Sequence, residues 1–567
     1  MEPSQTQQSY LHGVSDMCLV GLTVGQLLEQ SAARYADNDA LIVPYQGLRW
    51  SYGELNRQAD EMAAGLLALG FAPGDRLGIW APNMAEWVAL QFATAKAGLI
   101  LVNINPAYRL AELEYALTQT GVRGLITVPT FKTSDYIAML NELMPELAGS
   151  KPGQLKAQKI PSLRWIITLG ETATPGAITH EEVRAGATNA TRVQVQTLGL
   201  ALQFDDPINI QFTSGTTGRP KAATLTHHNI VNNALFTGLQ MKLNHEDRMC
   251  IPVPMYHCFG MVLGTLCCVA HGATMVFASP GFDAESTMRV VETERCSALH
   301  GVPTMFIAAL DSPGFAERDL TSLRTGIIAG APCPAELMKR IMSEMHMDQI
   351  TIAYGMTETG PVSTQTTVDD PVARRVETVG RVLPHTEIKI VDDKGHITPR
   401  GTPGELLTRG YCVMPKYWND PEKTASAIDE ARWIASGDIA TVDDEGYFQI
   451  VGRIKDMLIR GGENIFPREI EDFLYTHPAI EQVEVIGAPD QKYGEEVCAW
   501  IRLREGHTAT EEEIRAFCKG QIAHFKIPRY IRFVDEFPMT ITGKVQKFVM
   551  RAQMAQELEQ AKMEGTQ

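Results

Sequence analysis

The chain lacks several features that would place it in other classes of protein. No apolar run reaches about 18 residues, so no membrane-spanning helix is expected. The ten cysteines include no C-x-x-C pair, which argues against a zinc site or a disulfide framework and fits a reducing compartment. Repeats of fixed period and low-complexity tracts are also missing. These absences leave an ordinary globular composition, with 44% hydrophobic and 21% charged residues.

Basic residues are outnumbered by acidic ones, with 50 lysines and arginines against 67 aspartates and glutamates. The formal net charge is −17, and a nucleic-acid binder needs a basic surface, so nucleic acid is not an expected partner. The first residues show neither the charged and apolar segments of a secretory signal nor the arginines of a transit peptide. The predicted location is therefore the cytoplasm.

The most informative segment that is present is rich in glycine and small hydroxyl residues. It reads Thr213-Ser-Gly-Thr-Thr-Gly-Arg-Pro-Lys221 and follows the apolar run 208–212. Glycines bring backbone N–H groups close to an anion, hydroxyls donate hydrogen bonds, and the lysine adds a positive charge. A helix pattern begins at Thr226, so we predict a strand, a phosphate-binding loop and a helix in that order. The predicted binding residues in this loop are Thr213, Ser214, Gly215, Thr216, Thr217, Gly218 and Lys221.

This loop is not a Walker A motif. That motif has four residues between its glycines and a lysine directly after the second glycine. Here Gly215 and Gly218 are three positions apart, and two residues separate Gly218 from Lys221. A single glycine or threonine would more often belong to an ordinary polar loop, but the length of the whole string favours nucleotide chemistry.

Strand and helix patterns alternate through about the first 400 residues, as in parallel α/β layers. Ser51 and Glu54 form a capping-box pattern at the start of a helix that runs to about Leu69. A strand at 76–80, a helix at 86–96 and a strand at 99–103 follow. The same alternation returns at 273–278, 323–329 and 349–354.

The pattern changes twice in the last third of the chain. After about Thr378, short strands and glycine turns indicate a small β-rich unit that ends near Arg453. From about Lys455, a smaller α+β pattern begins, and the polar residues from 556 onward predict a mobile tail. We therefore predict an α/β fold with two domains. Residues 1–453 form layered α/β subdomains with a small β-rich subdomain, and residues 454–567 form a small mobile α+β domain.

Two acidic motifs add to the nucleotide hypothesis. Tyr354-Gly-Met-Thr-Glu-Thr359 follows a predicted strand, and open α/β sheets bind ligands at the carboxyl ends of their strands. Glu358 is a candidate Mg²⁺ ligand, and Thr357 can reach a phosphate or a carboxylate. An aspartate at Ser436-Gly-Asp438 can accept both hydroxyls of a ribose. Considered singly, each acid is more simply a solvated loop or turn residue.

Two basic motifs lie at the domain boundary and near the C-terminus. In Gly452-Arg-Ile-Lys-Asp456, Arg453 can bind ribose or phosphate, and Lys455 begins a flexible joint. In Phe537-Pro-Met-Thr-Ile-Thr-Gly-Lys544, a lysine follows a glycine turn. A surface lysine is the simpler interpretation, but in a small domain that moves, Lys544 can complete an active site from outside.

Taken in order, these motifs resemble those of the acyl-adenylate-forming superfamily of AMP-dependent synthetases and ligases. The resemblance covers roughly residues 20 to 550 and is strongest to medium-chain fatty acyl-CoA synthetases. It implies two half-reactions with ATP, Mg²⁺ and coenzyme A. A carboxylate attacks the α-phosphate of ATP to give acyl-AMP and pyrophosphate, and the thiol of CoA then releases AMP. The motifs that carry it are Thr213–Lys221, 354–359, 436–438, 452–456 and 538–544.

The resemblance also assigns roles to residues of the first half-reaction. The glycine-rich loop holds the β- and γ-phosphates, with Mg²⁺ beside Glu358. Asp438 takes the ribose, and Lys544 reaches both the attacking carboxylate and the α-phosphate. The segment around the adenine comprises Gly330, Ala331, Pro332, Tyr354 and Gly355.

For the second half-reaction, the resemblance implies that the small domain rotates about Lys455. The rotation withdraws Lys544 and brings Gly461 and Gly462 to the site, where backbone without side chains lines a pantetheine tunnel. The position at which luciferases and plant aryl-CoA ligases have a lysine is Ile459 here, which puts luciferase-type chemistry in doubt.

The acyl pocket is expected near the segment 255–260. Peptide-synthetase domains usually have an aspartate there, whereas this chain has His257 among apolar neighbours, so an amino-acid substrate is disfavoured. His257 is either a gate of the pocket or a core histidine. Gly260, Gly264 and Gly301 are expected to leave room for an aliphatic chain.

The sequence thus predicts an AMP-forming acid–CoA ligase for an aliphatic, medium-chain acid. The alternatives are an aryl-CoA or short- or branched-chain acyl-CoA ligase, an acyl-AMP ligase that loads a carrier protein, or a relative that only binds. The expected partners are a small carboxylic acid, ATP and CoA, with a homodimer left open.

Overall fold

The computed structural model describes residues 7–170, 174–213, 220–331, 333–461, 463–540 and 544–564. Within them, the predicted alternation forms an α/β architecture with two large sheets. In the first large sheet, Arg76–Trp80 lies in parallel between Ile100–Asn103 and Gly124–Thr127. Its apolar residues are buried because both faces of a parallel sheet are covered. The strands of this sheet, in spatial order, are Ile178–Thr179, Trp165–Thr168, Gly124–Thr127, Arg76–Trp80, Ile100–Asn103, Pro207–Thr213, Lys221–Thr226 and Lys416–Tyr417.

The second large sheet is parallel in its centre and antiparallel at both edges. It contains the strands predicted at 273–278, 323–329 and 349–354, each slightly different in length. Its last central strand, Gln349–Gly355, ends next to the acidic motif of the candidate site. The strands, in spatial order, are Arg381–Val382, Val362–Gln365, Gln349–Gly355, Thr325–Ile328, Ala298–Leu299, Arg248–Cys250, Thr274–Val276, Asp39–Val43 and Leu48–Ser51.

Helices cover the sheets, and their starts follow the capping signals of the sequence. The helix predicted after Ser51 spans Tyr52–Ala68, and Ser51 Oγ accepts a hydrogen bond from the Glu54 backbone N–H at 3.2 Å. Only that half of the capping box forms, because the Glu54 carboxylate pairs with Arg57 instead. The α-helices described are Val24–Arg34, Tyr52–Ala68, Ala85–Lys96, Leu110–Thr120, Tyr136–Leu143, His180–Ala185, Asn189–Ala201, His227–Gln240, Cys267–His271, Ala284–Thr293, Pro303–Leu310, Ala335–Glu344, Val372–Glu377, Pro421–Ala427, Pro467–Leu474, Glu511–Cys518 and Lys547–Glu564, with a π-helix at Phe259–Leu266.

The prediction of a strand, a loop and a helix around the glycine-rich segment was wrong in one respect. The segment joins two antiparallel strands, Pro207–Thr213 and Lys221–Thr226, and the helix His227–Gln240 starts only after the second strand. Buried residues between 222 and 226 complete the backbone ladder of the sheet, which outweighs the local preference for entering the helix directly. Thr226 caps that helix through reciprocal hydrogen bonds with Asn229.

A small antiparallel sheet follows, as predicted. Its fifth strand, Tyr10–His12, comes from the other end of the chain and was not predicted. Its core consists of inward residues such as Ile388, Leu406 and Phe448. The strands, in spatial order, are Tyr10–His12, Thr386–Val391, Gly404–Gly410, Ile434–Val442 and Phe448–Arg453.

The last part of the chain is an α+β unit with its own apolar core, which includes Leu474, Val483 and Ile514. Its long hairpin pairs Ile480–Asp490 with Gly494–Leu503. The residues from 556 to 564, predicted to be helix-prone and mobile, continue the helix Lys547–Glu564, and Leu558 packs against the cluster of Trp500, Met550 and Met554; their mobility stays a prediction. The domain boundary at 453/454 stays a prediction. The remaining strands of this sheet are Leu458–Arg460, Glu463–Ile465 and Tyr530–Phe533.

Across the described residues, none of the helices has the length and apolar character that crossing a membrane requires.

Candidate active site

A buried carboxylate lies at the carboxyl ends of the central strands. Glu358 belongs to the short 3-10 turn Thr357–Thr359, just after the strand Gln349–Gly355. Its Oε1 accepts hydrogen bonds from the Tyr417 hydroxyl at 2.8 Å and from Thr213 Oγ1 at 3.1 Å. The residue is 8% exposed. The start of the glycine-rich loop and the acidic motif, 145 residues apart in sequence, therefore meet.

The Glu358 carboxylate fits the Mg²⁺ ion that the resemblance implies. Mg²⁺ takes few protein carboxylates and completes its shell with phosphate oxygens and water. Both hydrogen bonds described above use Oε1, so they leave the second oxygen, Oε2, to a cation. A carboxylate that is fixed through one oxygen, and that lies beside the predicted phosphate-binding loop, is suited to binding such a cation through its other oxygen.

Lys221 lies at the other end of the glycine-rich loop. Its Nζ is 5.1 Å from the centroid of the Tyr417 ring, in a cation–π arrangement. Tyr417 pairs with Ala223 on the neighbouring strand, which fixes the ring beside Lys221. The predicted loop residues Ser214, Gly215, Thr216, Thr217 and Gly218 lie outside the described residues.

A second buried carboxylate, Asp438, faces the domain boundary. It lies directly across from Arg453 in the antiparallel pairing of Ile434–Val442 with Phe448–Arg453. Tyr354 donates a hydrogen bond to Oδ2 at 2.7 Å, and burial together with Asp438 raises the pKa of Tyr354, which keeps it protonated.

The other oxygen of Asp438 is suited to a ribose. Arg453 Nε lies 2.8 Å from Oδ1 as an ion pair, but Oδ1 has no partner in hydrogen-bond geometry within the described chain, although it is buried. A ribose hydroxyl would satisfy it.

Lys544 reaches into the cleft between these two carboxylates. A Cβ built at Gly330 would lie 3.6 Å from Lys544 Cε, so the glycine allows the lysine to approach. Burial lowers the pKa of Lys544, the positive charge of Arg453 lowers it further, and Asp438 and Glu358 oppose this shift. Lys544 is an exposed residue, so it lies at the open side of the cleft and not in the protein core. Its positive charge is therefore placed where it can bind anionic ligands.

Two features of the C-terminal unit hold Lys544 in place. Its backbone N–H donates to Thr540 Oγ1 at 3.0 Å, and its carbonyl accepts from the Thr540 N–H at 2.7 Å. The helix Lys547–Glu564 starts three residues later, and Lys547 Nζ lies 2.5 Å from Glu471 and 3.1 Å from Glu484. These contacts anchor the segment on both sides of Lys544.

His257 and Cys258 lie beside Lys544 and Thr357. The backbone N–H of Phe259 donates to His257 Nδ1 at 3.2 Å, and burial with the nearby charge of Lys544 lowers the pKa of His257 to about 3. The ring is therefore neutral with its proton on Nε2. Cys258 Sγ is 3.6 Å from Thr357 Oγ1, and burial raises the pKa of the thiol to about 12, so it does not act as a nucleophile.

Buried histidines make the stability of the fold sensitive to acid. Burial lowers the pKa of His227 and His257 to about 3 and of His300 to about 4, below the ordinary value of about 6.5. Stability from these groups is present above pH 6.5 and is lost as the pH falls, because the unfolded chain then binds about three more protons. Burial raises the pKa of Glu484 to about 7. The folded protein therefore holds about one proton on Glu484 that the unfolded chain releases, which reduces the net uptake on unfolding by about one proton.

We therefore expect unfolding between pH 6.5 and 5 to take up about two protons from these four groups, a slope of about 3 kcal/mol per pH unit. Calorimetry in buffers of different ionisation enthalpy measures this uptake. The variant His227→Asn, whose amide oxygen can accept the Val24 N–H that His227 Nδ1 accepts now, should take up about one proton fewer. An unchanged uptake would contradict the buried, neutral state of His227.

Other predicted residues have different surroundings. Gly355 is required by packing, since a Cβ there would lie 2.0 Å from the Pro361 carbonyl oxygen. Ala331 is exposed, and Lys455 is exposed in the turn Ile454–Asp456. Gly461 packs against Tyr493 within the C-terminal unit, so this arrangement does not place it with Lys544. Pro332 and Gly462 lie outside the described residues.

Two of the three glycines expected to leave room for an acyl chain, Gly260 and Gly264, are closed in by neighbouring atoms. A Cβ at Gly260 would meet the Pro254 carbonyl oxygen at 2.3 Å. At Gly264 and Gly301 it would meet side chains of Ile251 and Phe306 at 2.9 Å. Gly260 and Gly264 therefore allow close packing of elements, whereas Gly301 lines a small cavity with Met305 and Phe306, and its role stays a prediction.

Tyr417 is the functional candidate that sequence reasoning missed. It lies 59 residues from Glu358, in a two-residue strand. Only the pairing of that strand with Lys221–Thr226 brings its hydroxyl to the carboxylate. An aromatic residue in a short edge strand is a weak local signal, so no local pattern distinguishes Tyr417 from other tyrosines.

This geometry brings together residues that are predicted to bind a nucleotide, and the comparisons with known proteins identify the family. The family model described as AMP-binding enzyme matches residues 28–418, and the model of the AMP-binding enzyme C-terminal domain matches residues 469–544. The chain belongs to the AMP-binding enzyme family.

Individual relatives match over nearly the whole chain. The medium-chain acyl-CoA ligase ACSF2, mitochondrial, of Danio rerio is 48% identical over 97% of this chain and 91% of its own length. The putative acyl-CoA synthetase YngI of Bacillus subtilis is 48% identical over 94% of this chain and 97% of its own. Among solved structures, the anthranilate CoA ligase AuaEII with anthranoyl-AMP has a TM-score of 0.83 at 27% identity, covering 96% of this chain and 99% of its own. ATP-bound MatB of Rhodopseudomonas palustris has a TM-score of 0.80 at 29% identity, covering 94% and 99%.

Proposed function

We propose that this protein is an AMP-forming acyl-CoA synthetase that converts medium-chain aliphatic acids to their CoA thioesters through acyl-AMP. The observation that carries the proposal is the position of Lys544, which enters one cleft together with Glu358 and the Asp438–Arg453 pair. The names of the relatives at 46–48% identity support the substrate class.

In the first half-reaction, a carboxylate oxygen attacks the α-phosphorus of ATP, and the bond to pyrophosphate breaks. The physical problem is to bring two anions together while charge grows on the leaving group, and positioned positive charge solves it. Lys544 supplies that charge at the carboxylate and the α-phosphate. Asp438 accepts the ribose hydroxyls, and Lys221 supplies charge to the phosphates. Mg²⁺ held by Glu358 would neutralise phosphate charge.

In the second half-reaction, the CoA sulfur attacks the acyl carbon, AMP leaves, and the thiol proton is released. Lys544 occupies the cleft in the arrangement described here, so it must withdraw before a thiol can approach. Rotation about the exposed turn that contains Lys455 would withdraw it and carry Gly461 to the cleft. The protein therefore uses one cavity with two successive linings.

Substitution of Gly461 tests the second lining. We expect Gly461→Leu to leave acid-dependent pyrophosphate exchange intact and to slow the transfer from acyl-AMP to CoA by on the order of 10²-fold, since a misplaced reacting group typically costs that much. Gly461 has φ +60°, so the substitution also strains the backbone. Gly506→Leu is the matched control, because Gly506 has φ +75° in the same unit and open space around it. Transfer that is slowed equally in both variants would remove the tunnel assignment.

The acid substrate is tested by a panel of carboxylic acids with CoA-dependent AMP release as the readout. We expect the highest kcat/KM for aliphatic acids of medium length. A preference for benzoate-like acids would instead favour an aryl-CoA ligase, the class of the anthranilate ligase neighbour. AMP release only with a carrier protein would point to an acyl-AMP ligase of that type.

Location and assembly are further proposals. The Danio rerio and Bos taurus relatives are named mitochondrial. We propose the cytoplasm for this chain; its ten cysteines suit a reducing compartment, a property that the cytoplasm shares with the mitochondrial matrix. Fractionation of cells that express the full chain tests this, and sedimentation of the purified protein tests the homodimer.

A further inference from the structure

One tyrosine connects the two parts of the site that would hold the phosphates of ATP. Tyr417 is 4% exposed, and its hydroxyl donates to Glu358 Oε1 at 2.8 Å. The face of the same ring carries Lys221 Nζ at 5.1 Å. Glu358 follows one large sheet, and Lys221 begins a strand of the other. Tyr417 is thus the side chain that contacts both.

The backbone around Tyr417 holds it firmly in this position. Tyr417 is paired with Ala223, and the next residue, Trp418, donates its N–H to the Ala222 carbonyl oxygen at 2.7 Å. The Tyr417 N–H donates to Thr424 Oγ1 at 3.0 Å. The Met414 N–H donates to the Glu358 carbonyl oxygen at 2.9 Å. The strand and the acidic turn are therefore held together at both backbone and side chain.

The hydrogen bonds at Glu358 have a direction that matters for a cation. A carboxylate oxygen can only accept, so the phenol of Tyr417 is the donor in their hydrogen bond. Thr213 donates to the same oxygen. With two donors on Oε1, the carboxylate cannot rotate without losing hydrogen bonds, and Oε2 keeps a fixed direction.

We propose that Tyr417 is a positioning residue for phosphate and cation binding, whose hydroxyl orients Glu358 toward the divalent ion while its ring holds Lys221. The proposal rests on the proposed function for the identity of the nucleotide and the ion. Groups that orient metal ligands typically contribute 10–100-fold to metal affinity. The ring contact contributes separately, so the two roles can be separated by substitution.

Binding of Mn²⁺ to the complex of the full-length protein with a non-hydrolysable ATP analogue tests the hydroxyl. Paramagnetic resonance measures free Mn²⁺ without requiring turnover. We expect Tyr417→Phe to weaken Mn²⁺ binding by about 10–100-fold and to change the affinity for the analogue in EDTA by less than about 3-fold, because the ring stays under Lys221. Tyr417→Leu should weaken both. Mn²⁺ affinity unchanged in Tyr417→Phe would overturn the proposal.

Tyr447→Phe is the matched control. The Tyr447 hydroxyl also donates to a buried carboxylate, Asp370, at 2.7 Å, but Asp370 is not at the candidate site. Loss of the Tyr447 hydroxyl should lower the stability of the protein by about as much as loss of the Tyr417 hydroxyl, and it should leave Mn²⁺ binding unchanged. If Tyr447→Phe weakened Mn²⁺ binding as much as Tyr417→Phe does, the effect at Tyr417 would be general destabilisation, and the proposal would be overturned. If Tyr417→Phe does not fold, Thr213→Val, which removes the other donor to Oε1, must weaken Mn²⁺ binding for the proposal to stand.

The wild-type arms separate this inference from the function on which it rests. If the wild type binds Mn²⁺ and the analogue but releases no AMP with any acid, the proposed synthetase function is refuted. The Tyr417 variants then still decide whether Tyr417 positions the cation and the phosphates. Acid-dependent AMP release together with the expected Mn²⁺ loss in Tyr417→Phe supports both. Failure of the wild type to bind Mn²⁺ with the analogue would overturn the positioning role.

Discussion

Replacement of Lys544 with alanine is expected to slow acyl-AMP formation by about 10²–10³-fold, the usual effect of removing one positioned charge-stabilising donor. Conversion of supplied acyl-AMP to acyl-CoA should stay within about 3-fold of wild type, because the lysine must leave the cleft before the thiol enters. Acid-dependent pyrophosphate exchange measures the first step, and quenched-flow with acyl-AMP and CoA measures the second.

The control for this prediction is Lys519→Ala, which removes an exposed lysine of the same unit. It should leave both half-reactions unchanged. Equal damage to both steps in Lys544→Ala would show that the lysine serves the whole cycle, and the two successive linings would then be rejected.

Replacement of Asp438 with alanine is expected to lower kcat/KM for ATP by about 10²–10³-fold. Each hydrogen bond to a charged group contributes about 1.5–3 kcal/mol, and the carboxylate is positioned to accept from the ribose. The same substitution leaves Arg453 without its ion-pair partner. Steady-state kinetics with ATP varied at saturating acid and CoA measures the effect, with the exposed turn residue Asp444→Ala as the control.

A comparison of ATP with 2′,3′-dideoxy-ATP isolates the ribose contact. Wild type should discriminate strongly against the analogue, because the analogue lacks both hydroxyls that would donate to the Asp438 carboxylate. The Asp438→Ala variant should lose most of that discrimination, so the two changes should be far from additive. Additive effects would mean that Asp438 acts on stability or on Arg453 and does not contact the ribose.

Much of the architecture could be predicted because its signals are local. Apolar runs such as the one at 76–80 are long enough to mark buried strands, and the cap at Ser51 marks a helix start. The strand Lys221–Thr226 was missed because its two alanines favour a helix locally, although its threonines favour a strand. Its strand conformation comes from pairing with Pro207–Thr213. Tyr10–His12 joins a strand more than 370 residues away, which no local pattern can indicate.

In the candidate site too, residues with a local sequence signal could be predicted, and residues placed by pairing of distant strands could not. Glu358 was selectable because an acidic residue after a strand is typical of ligand sites in α/β sheets. Asp438 was selected from its motif, which was expected to precede a strand, but it lies within the strand Ile434–Val442 of the small antiparallel sheet. Tyr417 was not selected, because its role depends on which strand its short segment joins. The roles of these residues stay predictions until the variants are measured.

A single-turnover experiment with a medium-chain acid and ATP labelled at the α-phosphate tests the central claim most directly. Without CoA, we expect labelled acyl-AMP to accumulate to about the concentration of enzyme, with an equal amount of pyrophosphate. Addition of CoA should convert it to acyl-CoA and labelled AMP. Labelled ADP as the product, or acyl-AMP that CoA fails to discharge, would contradict the account.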